Sequence, residues 1–272
     1  MTDGDFAEAV ALTDTMDWGL SEDDFGFMNL MEPKGCFVAV SRGEVIGLIT
    51  TISFGRVGWV GNVIVQSARR GEGMGKALVE KALDYLEKRG VTTTGLYAYQ
   101  NVIHFYEQFG FIRDKDFVWL ICPEATWKGT PHRPLPQSRF EDLLKLDEEF
   151  FGASRRRLLR PIFEASPRLC RGILMNGRLV AYVMGSRGAS AEIGPWACLP
   201  GHEKESLALM QSLADEVKGL EVFVGAPAWK KEAVDFLLGI GFEKSFVVTR
   251  MYRGPPILEK GSVLAIESLE RG

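Results

Sequence analysis

Residues 66–76 read Q-S-A-R-R-G-E-G-M-G-K, between an apolar run from Val60 to Val65 and an amphipathic segment from Ala77 to Lys88. An extended run, a glycine-rich turn and a helix start form a natural anion site, because free amides and the helix dipole point at the turn. The glycines that allow positive φ and close approach of a ligand are Gly71, Gly73 and Gly75. The residues that add fixed charge are Arg69, Arg70 and Lys76. The stretch therefore predicts a site for a polyphosphate-like ligand.

Two common phosphate-binding motifs do not fit this stretch. A Walker loop needs a glycine where Arg70 stands and a serine or threonine where Ala77 follows Lys76, so its magnesium ligand is missing. A dinucleotide fingerprint counted from Gly71 and Gly73 needs a third glycine at position 76, which is a lysine. The chain before the loop also reads as successive extended segments, which is not how a βαβ unit begins. Neither motif is indicated.

The pattern that fits is R-x-x-G-x-G, formed by Arg70, Gly73 and Gly75. It resembles the acyl-CoA pyrophosphate loop of the GNAT N-acyltransferase superfamily. The resemblance implies acetyl-CoA as co-substrate, with its pyrophosphate on this loop and its pantetheine arm along the preceding strand. The cofactor-binding residues implied in this way are Val63, Ile64, Val65, Arg70, Gly71, Glu72, Gly73, Met74, Gly75 and Lys76.

A second stretch, Asn101 to Phe111, reads N-V-I-H-F-Y-E-Q-F-G-F and is similar to the last core helix of that superfamily. Asn101 falls at the predicted helix start, where its amide suits capping, and the resemblance implies that Asn101 and Phe105 bind the cofactor. Tyr106 matches the tyrosine that protonates the leaving CoA thiolate in many relatives. The structural alternative is a plain apolar face made of Phe105, Tyr106 and Phe109. The resemblance carried by the two motifs implies an α/β fold with a mixed, mostly antiparallel sheet flanked by helices.

Composition narrows the class of protein further. The chain has 272 residues, which suggests about two domains, and 46% of them are hydrophobic. The cysteines are scattered without metal-ligand spacing, which predicts buried thiols in a reducing compartment and no metal: Cys36, Cys122, Cys170 and Cys198. The acidic start lacks a secretion signal, and no apolar run is long enough for a membrane span. The net charge of −4 argues against nucleic-acid binding. Because the cysteines indicate a reducing compartment and neither a secretion signal nor a membrane span is predicted, we expect a cytoplasmic protein.

A proline-rich segment divides the chain. Residues 123–137 contain four prolines, and prolines at that density interrupt helices and strands. We therefore predict a catalytic domain over residues 1–122, a linker over 123–137 and a second domain over 138–272. Soon after the linker lies a basic cluster, predicted to be the solvated face of a helix with an anion site as the alternative: Arg155, Arg156, Arg157 and Arg160.

The order of predicted elements recurs after the linker. Ile193-Gly194 corresponds to Val60-Gly61, and Phe236 to Phe242 corresponds to Phe105 to Phe111. A helix predicted over 207–218 repeats the helix that follows the glycine-rich loop, and residues 263–266 are predicted as an extra edge strand. The chain therefore resembles two tandem GNAT domains.

The second copy lacks the residues that carry the chemistry of the first. Where the first has its arginine and two glycines, the second has Glu203, Ser206 and Ala208, and a carboxylate would repel a pyrophosphate. Leu237 replaces the tyrosine and cannot donate a proton. We predict that only the first copy binds acyl-CoA and reacts, while the second supports the fold or shapes the acceptor pocket. Its candidate pocket residues, with surface or packing roles as the alternative, are Glu192, Trp196 and Arg250.

Proton balance sets the expected mechanism. A lysine-like amine with a pKa of about 10.4 is neutral in only about one molecule in 2,500 at pH 7, so it must lose a proton before it attacks. The resemblance implies direct attack on the thioester without an acyl-enzyme, with backbone amides at 63–65 polarising the carbonyl and Tyr106 protonating the thiolate. Residues 59–66 contain no Asp or Glu, so the base stays open among four candidates. These candidates are Asp17, Asp23, Tyr97 and Tyr99.

Three functions are compatible with the sequence. The favoured one is acetyl transfer to a primary amine of a small or amino-acid-like acceptor, which could bind between the two domains. The second is acetylation of a protein lysine or N-terminus, and the third is a non-catalytic acyl-CoA sensor. Retention of Tyr106 favours an enzyme, because a sensor has no need of a proton donor. The acceptor, the acyl chain length and the oligomeric state are not indicated.

Overall fold

The computed structural model describes residues 1–257 and 260–272 and consists of two halves with the same order of elements. The first half contains α1 (Phe6–Asp14), α2 (Glu22–Met31), β1 (Phe37–Ser41), β2 (Glu44–Phe54), β3 (Val57–Val65), α3 (Met74–Lys88), β4 (Thr93–Tyr99), α4 (Ile103–Glu107) and β5 (Ile112–Cys122). The second contains α5 (Phe140–Phe151), α6 (Arg156–Ala165), β6 (Arg171–Met175), β7 (Arg178–Arg187), β8 (Ala191–Cys198), α7 (Glu203–Gln211), α8 (Ala214–Val217), β9 (Val222–Pro227), α9 (Lys231–Gly239), β10 (Glu243–Arg253) and β11 (Ser262–Ala265). The repeated order confirms the tandem arrangement predicted from the sequence.

The two halves share one continuous mixed sheet, a feature that the sequence did not predict. The strands follow the order β1-β2-β3-β4-β10-β5-β9-β8-β7-β6, and β11 pairs with β8. Strand β10 of the second half lies between two strands of the first, with Val248 opposite both Tyr99 on β4 and Phe117 on β5. In the same way β5 lies between β10 and β9 of the second half. Each half therefore completes the sheet of the other.

Each half contains one pair of parallel strands that separate soon after they meet. Strand β3 pairs with β4 only from Val57 to Trp59, and β8 pairs with β9 only at Ala191 and Glu192. Beyond Trp59 the two strands diverge and leave a wedge-shaped opening, which we call the first gap. The corresponding opening between β8 and β9 beyond Glu192 is the second gap.

The cores lie on both faces of this sheet. On one face of the first half, α3 and α4 pack over strand residues such as Val60 and Leu96. On the other face a larger cluster joins the halves, with Met28 of α2 and Trp59 of β3 packed in the same core as Leu143 of α5. The halves are therefore packed together through a shared apolar core as well as through the sheet.

A buried ion pair lies in the shared core. Arg155 donates to the Asp147 carboxylate at 3.1 Å through Nε and 2.6 Å through Nη2, and the Tyr182 hydroxyl donates to Asp147 at 2.5 Å. The Arg155 side chain is only 5% exposed. The prediction that Arg155 belongs to a solvated helix face is therefore wrong, because its charge is balanced by Asp147 inside the core. Arg156 does lie at the surface, where it pairs with Glu141.

One further element differs from the prediction. The helix predicted over 207–218 is interrupted, since α7 ends at Gln211 and α8 begins at Ala214. The Ser212 hydroxyl donates to the Leu209 carbonyl oxygen at 2.6 Å, a local bond that competes with helix continuation. The predicted linker packs against the second half, where the Ala125 amide donates to the Leu220 carbonyl oxygen at 2.8 Å.

Replacing the buried carboxylate tests the importance of this shared core. We expect Asp147→Ala to lower the free energy of unfolding by about 3–5 kcal/mol, because it leaves the Arg155 guanidinium buried without its partner. The matched control is Asp142→Ala on the same helix, whose partly exposed pair with Arg139 contributes at most about 1 kcal/mol. Urea unfolding of both variants measures the difference, and equal losses would contradict this account.

Candidate functional site

The first gap is bordered by a β-bulge in β3. Leu48 opposes Ile64 and Thr50 opposes Gly61, so β3 has one more residue than β2 between these pairs. Asn62, inside the bulge, has a positive φ of 52°, and its side-chain amide donates to Thr50 Oγ1 at 3.2 Å. A bulge interrupts the ladder and redirects the backbone. Residues 63–65, predicted to bind pantetheine, follow the bulge on the β3 edge that faces the gap.

The glycine-rich loop lies at the open end of the first gap. Gly71 and Gly73 have φ of 85° and 83°, and Gly73 is the N-cap of α3. The first amides of this long helix therefore point at the loop and attract an anion. Arg70 Nε donates to the Val65 carbonyl oxygen at 3.1 Å, which ties the loop to the strand end. The other charged loop residues are exposed or half-buried: Arg69, Glu72 and Lys76.

The two sequence motifs meet where α3 begins. A Cβ built on Gly75 would lie 3.4 Å from Phe105 Cζ and 3.7 Å from Val65 Cγ2, so the helix start contacts both α4 and the end of β3. Asn101 does not cap α4, contrary to the prediction, because the chain enters α4 through a 3-10 turn that contains Asn101. Its side chain is exposed at the surface.

Tyr106 lies beneath the first gap, on the α3 and α4 face of the sheet. It is buried in the same cluster as Val60 of β3 and Ala98 of β4, the two strands that border the gap. Its ring centroid lies 5.1 Å from that of Phe105. Burial raises the pKa of Tyr106 well above its usual value, so the hydroxyl keeps its proton at neutral pH. The apolar-face reading and the proton-donor reading are both compatible with this position.

The second gap is filled by the protein itself. Strand β11 pairs with β8 along its open edge, with Val263 opposite Ala197 and Ala265 opposite Trp196. On the other side the Ile266 amide donates to the Gly225 carbonyl oxygen of β9 at 2.9 Å. The predicted extra strand is thus confirmed, but it lies inside the sheet and not at its edge, because it bridges the two separated strands.

The residues that replace the anion loop in the second half make hydrogen bonds to β11 and β8. Glu203, at the position of Arg70, accepts a hydrogen bond from the Ser262 hydroxyl at 2.8 Å. Ser206, at the position of Gly73, accepts one from Trp196 Nε1 at 2.7 Å. Trp196 is fully buried, which makes it a packing residue and not a pocket residue. The second half therefore uses its loop to bind its own chain.

Beyond β11, the 267–272 segment crosses from the second gap to the first. Trp59 Nε1 donates to the Leu269 carbonyl oxygen at 3.3 Å, and a Cβ built on Gly61 would lie 2.6 Å from Glu270 Cα. Arg155 donates to the Gly272 carbonyl oxygen. The sequence patterns did not indicate that this segment reaches the first gap. The available signal was the pair of corresponding glycines, Gly61 and Gly194, which allow close backbone approach in a strand.

The four base candidates lie in different environments. Asp17 and Asp23 are exposed. Tyr97 packs between the rings of Trp59 and Phe117, with centroid distances of 5.2 Å and 5.0 Å. Tyr99 is half-buried, and burial raises the pKa of its hydroxyl. The structure does not bring these four side chains together.

A small cavity of about 40 Å³ lies between the halves. Its lining includes Trp59, Tyr97, Tyr182, Arg250 and Gly272. Arg250 also pairs with Asp114, at 2.8 Å through Nε and 2.6 Å through Nη2. Among the described residues, no group of three or more potential metal ligands occurs. No helix in the described part of the chain is long and apolar enough to cross a membrane.

Sequence profiles match both halves of the chain. The Acetyltransferase (GNAT) family matches residues 8–111, and an Acetyltransferase (GNAT) domain matches residues 143–264. Two such matches in tandem, on a fold with two gapped parallel strand pairs, identify the class of protein. The chain belongs to the GNAT acyltransferase superfamily and contains two of its domains.

Full-length similarity extends to a curated enzyme and to solved structures. The chain is 26% identical over 269 residues to a holothin acyltransferase from Pseudoalteromonas sp. (strain SANK 73390), covering 96% of this chain and 89% of the relative. A candidate acetyltransferase from Pyrococcus horikoshii superposes with a TM-score of 0.82 at 20% identity, over 100% of this chain and 94% of the other. A tandem GNAT protein from the clavulanic acid biosynthesis pathway gives a TM-score of 0.59 at 17% identity, over 94% of this chain and 97% of the other. The structural matches establish the shared fold.

Proposed function

We propose that the protein transfers an acetyl group from acetyl-CoA to a primary amine of a small or amino-acid-like acceptor. The reaction takes place at the first gap. The observation that carries this proposal is the contrast between the gaps. The first lies beside a glycine-rich helix N-terminus and a buried tyrosine, whereas the second is filled by β11. Among the described residues, the first half has the arginine- and glycine-containing loop at the start of a long helix beside a gap without an inserted strand, so we assign the nucleotide cofactor to it.

In this proposal acetyl-CoA lies across the first gap. Its pyrophosphate binds the Gly71–Gly75 loop and the α3 N-terminus, where backbone amides and the helix dipole stabilise negative charge. Its pantetheine arm follows the β3 edge over 63–65, and Phe105 closes the cofactor channel beside Gly75. We place Asn101 near the arm as well, although its exposure limits it to an outer contact.

The reaction proceeds by direct attack of the neutral amine on the thioester carbon. Backbone amides beyond the β3 bulge polarise the carbonyl as negative charge develops on its oxygen. Tyr106 protonates the departing thiolate, a role that its position beneath the gap and its retained proton support. Holding both reactants in one gap accounts for much of the rate, because the attack becomes effectively unimolecular.

A small acceptor is favoured over a protein. The 267–272 segment and α2 occupy the face of β3 from which an acceptor would approach, and they narrow the space for a polypeptide. A holothin acyltransferase is a full-length relative, and a chloroplastic serotonin N-acetyltransferase from Oryza sativa is 35% identical over 65 residues, 24% of this chain. Both names describe small acceptors. The four buried free cysteines support a cytoplasmic location.

Loss of the Tyr106 hydroxyl tests the enzymatic reading. We expect Tyr106→Phe to lower kcat by about 10²–10⁴-fold, the usual contribution of a general acid, while acetyl-CoA binding is retained. Free-thiol release from acetyl-CoA is followed over a panel of amines, amino acids and peptides. The control is Tyr85→Phe on α3, which loses only a hydrogen bond to Glu32 far from the loop. Unchanged turnover in Tyr106→Phe would contradict the proton-donor role of Tyr106, whereas the absence of thiol release with any acceptor, despite tight acetyl-CoA binding, would favour the sensor function.

Two glycines at opposite ends of α3 test the cofactor loop. Gly73 and Gly90 have φ of 83° and 81°, so alanine at either position is strained by about 1–2 kcal/mol. We expect Gly73→Ala to weaken CoA binding by roughly 5–30-fold, because the strain opposes the loop conformation that binds. Gly90→Ala should lose stability without losing CoA affinity. Isothermal titration with CoA measures both, and equal affinities would contradict the assigned loop.

A further inference from the structure

The first half lacks a carboxylate on the strand that borders its gap, and a glutamate of the second half, Glu270, packs against that strand. We propose that Glu270 is the general base that takes the proton from the acceptor amine. This inference rests on the proposed acetyl transfer at the first gap. The base would then be supplied to the active site of one half by the chain of the other.

The contacts of the 267–272 segment place Glu270 at the bulge of β3. The Leu269 carbonyl oxygen accepts a hydrogen bond from Trp59 at the closed end of the first gap. A Cβ on Gly61 would lie 2.5 Å from Glu270 Cβ and 2.6 Å from its Cα, closer than any side chain tolerates. Glu270 therefore packs directly on the strand, one residue before Asn62 begins the bulge that we assign to the thioester carbonyl.

The two sides of β3 separate the proposed base from the proposed acid. Side chains alternate along a strand, so Val60 faces one side while Trp59 and Gly61 face the other. Val60 shares a cluster with Tyr106 beneath the gap, whereas Trp59 packs with Met28 of α2 on the opposite face. Glu270 lies against Gly61 on that opposite face. An amine could thus lose its proton on one side while the thiolate gains one on the other.

The charges around Glu270 suit a base for a cationic amine. The groups that face it are Asp24 on α2, Glu192 on β8, and Glu267 and Arg271 in its own segment. Arg271 makes two 3.0 Å hydrogen bonds to Glu267 and approaches Glu270 at 3.1 Å. Even with Glu192 protonated, the other three carboxyl groups outnumber the Arg271 guanidinium, and the surplus negative charge attracts an ammonium group.

Burial raises the pKa of two neighbouring carboxyls. The Glu270 side chain is 16% exposed, and desolvation raises its pKa despite the nearby Arg271 charge. Burial and the Glu270 charge raise the pKa of Glu192 well above its usual value. A carboxylate with a raised pKa is a better proton acceptor than an ordinary one.

The step balances without any further reactant. The ammonium first loses one proton to solvent, which gives the neutral amine. The nitrogen lone pair then forms the C–N bond, one N–H bond breaks, and that proton passes to Glu270. The C–S bond breaks, and the thiolate takes the Tyr106 proton. Glu270 then loses its proton to solvent and the Tyr106 phenolate regains one, which leaves an amide and free CoA.

The test is the pH dependence of kcat/KM in the full-length protein and in Glu270→Gln. We expect kcat to fall by about 10²–10³-fold in the variant, with the KM for acetyl-CoA changed less than about twofold. Below the pKa of Glu270, kcat/KM of the parent should fall about 100-fold per pH unit, because amine and Glu270 both take up protons. In the variant the fall should be about 10-fold per unit, since only the amine titrates.

One control separates catalysis from folding. Glu232→Gln, on the exposed surface of α9, should behave like the parent, and Glu270→Gln should bind CoA with parental affinity, as a folded variant does. A Glu270→Gln variant with parental turnover or an unchanged pH slope would overturn the proposal. A parent that releases no thiol with any acceptor would instead refute the proposed acetyl transfer.

Discussion

The separation of two parallel strands is the constraint on which the rest of the structure depends. Once β3 leaves β4 after Trp59, and β8 leaves β9 after Glu192, each half carries an edge of backbone groups inside its own sheet. Buried amides and carbonyls need partners, so each gap has to be filled. In the second half β11 supplies those partners. In the first, the described chain leaves the β3 edge beyond the bulge for a ligand, and pantetheine, with its two amides, has suitable groups.

Strand exchange couples the two gaps. Because β10 lies between β4 and β5, and β5 between β10 and β9, neither half has a complete sheet alone. The shared core and the buried Asp147–Arg155 pair add a second connection. The second half lacks an anion loop of its own, but it has a structural role because it completes the sheet and the core of the first half. The strand exchange also explains why the chain beyond β11 reaches the first gap only a few residues after it leaves the second gap.

The sequence predicted local features better than distant ones. The loop from Arg70 to Gly75 and the repeated element order depend on short-range spacing, and the structure contains both. Strand exchange could not be read from the sequence, since an alternating strand pattern does not specify its partner. The prediction that Arg155 lies on a solvated helix face is wrong for a similar reason, because its partner Asp147 is identified only in three dimensions. The prediction that Asn101 caps α4 is wrong because a short 3-10 turn shifts the start of the helix.

The 267–272 segment shows how the chemistry could depend on duplication. Trp59 lies at the closed end of the first gap, where β3 stops pairing with β4, and its indole supplies no acidic group there. The same indole binds the Leu269 carbonyl oxygen, and so holds Glu270 against Gly61. Trp59 thus supplies no base from β3, but its hydrogen bond to Leu269 helps to position Glu270, the base that we propose. An isolated first half would keep its loop and Tyr106 yet lack both β10 and Glu270, so cofactor binding and proton removal would have been divided between the two copies.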